Sequence, residues 1–182
     1  MCNKFISIFV LSVLLLITGC SSNTAKEDTI TTNLKIATIG APPSLNADQV
    51  KFENIQLEDL KKTTDNISGN YNAVFIMPEF LSPASADKYI SAYEELKIPI
   101  FFIESKKDEL PFINEDVSYE NAPVVNSSNN FATGYLNKSS NQKEVSYVTW
   151  KYQLSKNVNK KDAIQKVYTQ IFETISDVQL EK

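Results

Sequence analysis

The sequence predicts a single α/β domain with a mostly parallel sheet, and three observations carry that prediction. Two continuous apolar runs, Ala73–Met77 and Ile98–Ile103, flank a stretch with helical periodicity. Strands buried on both faces read as unbroken apolar runs, and a strand–helix–strand unit of this length is a βαβ crossover between parallel strands. Phe131–Leu136 and Glu144–Gln153 are two further strand-like segments around a polar turn, the pattern of an antiparallel hairpin. After them Lys160 to about Ser176 carries Ile164, Val167, Tyr168, Ile171, Phe172 and Ile175 on one helical face, with Asn159 placed as its N-cap.

The remaining elements follow in order. Leu34–Ile39 alternates as a strand and is stopped by Gly40-Ala41-Pro42-Pro43. Gln49–Leu60 suits a short strand in its first half and a helix in its second. Asp65–Asn70 reads as a turn around Gly69. Ser82-Pro83 has the form of an N-cap followed by proline at the first helical position. Ala86, Tyr89, Ile90, Tyr93 and Leu96 then make one apolar stripe over Pro83–Lys97. Lys106–Asn130 is loop-like. Residues 34–182 thus form one domain, in two or three layers, with the βαβ unit at about 73–103, the hairpin at about 131–153 and the C-terminal helix at about 160–176. No internal repeat or second linker divides it.

The N-terminus has a different character. Met1–Lys4 is a short basic region, and Phe5–Ile17 is apolar except for Ser7 and Ser12. Such a run is shorter than the roughly 20 residues a spanning helix needs and matches a signal-peptide core. It ends in Ile17-Thr18-Gly19-Cys20, an aliphatic residue, two small residues and a cysteine. This is similar to the lipobox of bacterial lipoproteins. The resemblance implies cleavage before Cys20, lipidation of its thiol and acylation of the new N-terminus by chains such as palmitate. Residues 1–19 are then the signal peptide and 20–33 a polar tether, which spans about 45 Å fully stretched. The expected location is the cell membrane, lipid-anchored on the extracytoplasmic face, with the membrane as a partner through acylated Cys20. Several acyl chains anchor stably, since each buried methylene contributes about 0.8 kcal/mol.

Composition removes several chemistries. The chain has no His and no Arg, and Cys2 and Cys20 are its only cysteines. A Ser-His-Asp triad, a His-ligated metal and an arginine clamp on phosphate are excluded. No cofactor and no metal are expected. Without Lys4 the chain carries 17 Lys against 22 acidic residues, a balance that disfavours nucleic acid. Gly40-Ala41-Pro42-Pro43 is no phosphate cradle, because its prolines lack N–H donors and the Gly-x-Gly-x-x-Gly spacing is absent.

Ligands of open parallel sheets sit beyond the carboxyl ends of the strands. The loops there offer Ser44, Glu79 and Glu104 as candidate ligand-binding residues. Glu79 and Glu104 follow successive strands of one βαβ unit and either share a crevice or simply begin solvated loops. Tyr135, Tyr147, Trp150 and Tyr152 gather on the hairpin, but opposite parity of Tyr147 and Trp150 favours core packing over one exposed platform. Lys61-Lys62, Lys106-Lys107 and Lys160-Lys161 read as solvated surface. Asn72–Glu104 is loosely similar to the βαβ units of solute-binding lipoproteins of ABC transporters. The body is too short for their two lobes, so no binding position is carried over. Two functions remain: a module binding a small ligand or partner protein, or a cell-envelope hydrolase that uses Glu79 and Glu104 without histidine.

Overall fold

The computed structural model describes residues 33–125, 129–139 and 146–181. The lipobox, Cys20 and the tether lie outside the described residues, as does part of the hairpin turn. Six strands form one mixed sheet in the order β2-β1-β3-β4-β5-β6. They are β1 (Leu34–Ile39), β2 (Val50–Asn54), β3 (Ala73–Ile76), β4 (Ile100–Ile103), β5 (Asn130–Asn137) and β6 (Tyr147–Gln153). The first four are mutually parallel, and β5 is antiparallel to both β4 and β6. The α/β class, the crossover and the hairpin expected from the sequence are all present.

The chain leaves β1 to pair β2 on one side, then returns across it to place β3 on the other. The connection from β2 to β3 carries α1 (Asp59–Lys62) and α2 (Thr64–Asn70), and that from β3 to β4 carries α3 (Leu81–Ala84) and α4 (Ile90–Glu95). A short α5 (Leu110–Ile113) follows β4. Leu60, Ile67, Leu81, Ala84, Tyr93, Leu96 and Phe112 pack with Ala37, Ile39, Val74, Ile76, Ile100 and Phe102 to make one core. Within it the Phe102 and Phe112 rings stack with centroids 3.6 Å apart.

The opposite sheet face is covered by α6 (Lys160–Leu180), whose Val167, Tyr168, Ile171, Phe172 and Ile175 meet Leu34, Ile36, Phe75, Phe101 and Ile103. Burying each large aliphatic or aromatic side chain of this seam contributes about 1.5–3 kcal/mol. The domain therefore has three layers. Because β6 runs in the direction of β4, α6 begins at the carboxyl edge of the sheet. It ends at the amino edge, where Gln179 donates to the Asn72 carbonyl at 3.4 Å and Glu181 pairs with Lys138 at 2.9 Å. The chain enters β1 at that same amino edge.

Several local expectations change. The continuous helix over Pro83–Lys97 is broken: Ala86 is extended, at φ −71° and ψ 136°, and a 3-10 turn, Asp87–Tyr89, separates α3 from α4. Ala84 rather than Ala86 supplies the buried contact, while Tyr89, Ile90, Tyr93 and Leu96 face the core as the stripe requires. Ser82-Pro83 is not a helix start. Helical backbone begins a turn earlier, with Pro78 leading the 3-10 turn Pro78–Phe80, and Ser82 bonds Glu120 instead. Asp65–Asn70 lies in α2 rather than in a turn, because Ile67 buries on the core and anchors it. The loop-like 106–130 segment holds α5, pinned by buried Phe112, and a bridge between Lys107 and Val124. The final helix runs one turn past Ser176 because Val178 is also buried. Asn159 caps it as expected, accepting from Asp162 N at 3.0 Å.

Candidate functional site

The strand order reverses between β1 and β3, the place where ligands of doubly wound sheets bind. Here the chain fills that place with its own atoms. Gly40, just after β1, has φ +108°. A Cβ there would lie 2.5 Å from Glu79 Oε1 and 2.7 Å from Met77 Cβ, so only glycine fits. Glu79 Oε1 accepts from the Ala41 N–H at 2.8 Å, and the Asn54 amide donates to the Gly40 carbonyl at 2.7 Å. Glu79 thus braces the loop after β1.

Glu104 sits elsewhere in the edge. It ends β4 in a left-handed conformation, φ 54°, with its side chain exposed. Burial, aided by the nearby Glu104 charge, raises the Tyr168 hydroxyl pKa well above the tyrosine range. No hydrogen bond joins Glu104 to Glu79 among the described residues.

Ser44 lines a cavity of about 390 Å³ together with Lys160 and Lys161, which the sequence reads as solvated surface. The loop 40–49 crosses the α6 face without a helix, its Leu45 and Ala47 packing on the α6 core. Gln165 of α6 engages both backbone polar groups of one residue of that loop, Asn46. Its Oε1 accepts from Asn46 N at 3.3 Å and its Nε2 donates to Asn46 O at 3.1 Å. The cavity opens beside this clamp, lined by Ser44, Leu45, Asn46, Lys160, Lys161, Ile164 and Gln165. Neither Glu79 nor Glu104 lines it. Its volume falls in the range of about 300–1,000 Å³ common to small-molecule sites.

A second hollow of about 470 Å³ opens on the other sheet face between Gln56, Leu57, Glu58, Phe80, Pro83, Ala86, Lys88 and Tyr89. Its charged groups and its tyrosine are already committed to one another. Glu58 Oε1 accepts from Lys88 at 2.8 Å and from the Tyr89 hydroxyl at 2.5 Å. These bonds hold the Glu58 pKa down at about 2.

The hairpin aromatics divide between faces as their parity requires. Trp150 is half-buried and stacks on Phe101, and Tyr152 is buried with its hydroxyl on Thr174 at 2.8 Å. Tyr147, 45% exposed, lies against Tyr135 on the far face. They form no common stacking surface.

Among the described residues no group of three or more Asp, Glu or Cys is placed to hold a metal ion. Likewise, no described helix is long and apolar enough to cross a membrane. No protein-family model, curated protein or solved structure matches the chain. The cavity must be interpreted from its own chemistry.

Proposed function

We propose that this protein is a membrane-anchored lipoprotein that binds a small ligand on the extracytoplasmic side. The observation that carries the binding reading is the cavity beside α6: ligand-sized, at the carboxyl edge of the sheet, and held open by the Gln165–Asn46 clamp. A wall fixed before the ligand arrives lowers the ordering cost of binding. The anchoring part rests on Ile17-Thr18-Gly19-Cys20. The hydrolase alternative has less support, because one oxygen of Glu79 is engaged by the Ala41 N–H and neither Glu79 nor Glu104 lines this cavity.

Two experiments test the two halves. Metabolic labelling with a fatty acid should mark the wild type and not Cys20→Ala; undiminished label on the variant refutes the anchor. A fragment screen followed by amide NMR should move the Asn46 and Gln165 signals, and Ile164→Trp should abolish those shifts by filling the cavity. Hits that ignore Ile164→Trp refute the binding site.

A further inference from the structure

We propose that the cavity beside α6 selects a small amphiphile carrying a single carboxylate, with its apolar part on Leu45 and Ile164 and its charge between Lys160 and Lys161. This deepens the binding reading above and rests on it. The lining is divided chemically: Leu45 and Ile164 are half-buried against the core, while Lys160, Lys161 and Ser44 are exposed at the rim.

The lysines are available. Neither forms an ion pair among the described residues, a property shared with Lys62, Lys97, Lys106, Lys107, Lys156 and Lys166, but of these eight only Lys160 and Lys161 line the cavity. The acid nearest in sequence, Asp162, accepts from the Asn159 amide at 2.6 Å. Both lysines also stand in the first turn of a 21-residue helix, where the helix dipole disfavours a cation. A local cost of this kind without an internal partner is what a charge kept for a ligand would show.

The loop decides which anion fits. A phosphate wants several convergent donors. The Ala41 N–H is bound to Glu79, Pro42 and Pro43 have none, and the Asn46 N–H is bound to Gln165. Two lysines and the Ser44 hydroxyl suit one carboxylate, and the apolar wall behind them suits a short hydrocarbon.

The probes are hexanoate, hexanol and hexylamine, titrated into the full chain in nanodiscs of zwitterionic lipid while the Asn46 and Gln165 amide signals are followed. Partition into lipid is common to every variant, so differences between variants report the cavity. Hexanoate should bind about tenfold more tightly than hexanol, and hexylamine should not shift these signals. The double variant Lys160→Gln, Lys161→Gln keeps the stems and removes an unfavourable dipole interaction, so it should fold at least as well. It should lose about tenfold in hexanoate affinity. Equal binding of hexanoate and hexanol, or an unchanged affinity in the double variant, overturns the carboxylate assignment and leaves the cavity reading standing. Hexanoate shifts that survive Ile164→Trp overturn the cavity itself.

Discussion

Replacing Gly40 by alanine tests the packing at the reversal of strand order. The added methyl meets two separate obstacles. The first is the backbone: φ +108° is a region that L-residues rarely adopt, and a sparsely populated conformation costs about 1–3 kcal/mol. The second is space. Met77 Cβ lies 2.7 Å from the new carbon and is fixed to a buried segment after β3, whereas Glu79 Oε1, at 2.5 Å, ends a flexible side chain. Overpacking of this kind costs about 1–3 kcal/mol. Gly40→Ala should therefore destabilise by about 2–6 kcal/mol, a large share of the 5–15 kcal/mol typical of a domain. Glu79→Ala alone gives up one exposed hydrogen bond to Ala41 and should cost about 1 kcal/mol. Combined with Gly40→Ala it also removes one of the two steric conflicts, so the double variant should fall short of the sum by about 1 kcal/mol. Urea unfolding followed through the single tryptophan, Trp150, reports all three variants. Its stacking on Phe101 places the probe in the sheet. A Gly40→Ala protein within 0.5 kcal/mol of wild type, or strict additivity with Glu79→Ala, would refute the reasoning.

Two further outcomes follow from the same structure. Asn159→Ala removes the cap that holds Asp162 N and should cost about 1 kcal/mol; a urea midpoint equal to wild type would show that the first turn of α6 does not depend on it. Burial pushes the Tyr135 and Tyr152 hydroxyls up to about 12, from an ordinary value near 10. A raised folded pKa means that their contribution is complete below pH 10 and is lost as pH climbs to 12. The urea midpoint should fall across that window, and Tyr152→Phe should make the fall shallower. An alkaline slope identical in wild type and Tyr152→Phe would contradict this assignment.

The parts of the fold legible in the sequence are those where one residue type can occupy only one environment. Ala73–Met77 and Ile98–Ile103 had no polar residue to expose, so two-faced burial was the only option. The α6 stripe, Ile164 to Ile175, repeats over about three turns and announces its seam. The segment after β3 was harder, because a stripe fixes which side chains face inward and not whether the backbone between them is continuous. Tyr89, Tyr93 and Leu96 keep helical spacing beyond the break at Ala86, and Tyr93 turns its hydroxyl back across it to the Ala84 carbonyl at 2.6 Å. A proline signal was present as well, but Pro78 rather than Pro83 supplied it. At the candidate site, Ser44 was found by its place after a strand. Gln165 is not legible there, because what assigns it is a contact with Asn46 across 119 residues, and Lys160 and Lys161 are not, because only the fold sets them beside that loop. The signal that was available is the pair of cations on the first turn of a helix, where anions are the rule.

The entry of the chain at the amino edge of β1 sets a vertical order on the molecule. With the lipid on Cys20 as proposed, the tether pulls from that edge, and the mouth between Ser44 and Lys160 opens at the other. Six residues of β1 at about 3.3 Å each hold the two edges roughly 20 Å apart. Electrostatic reach in physiological salt is about 8 Å, so lipid headgroups beneath the domain exert little pull on the two lysines above it. A cavity so raised would sample the water beyond the bilayer, and its cargo would arrive from solution rather than from the lipid below.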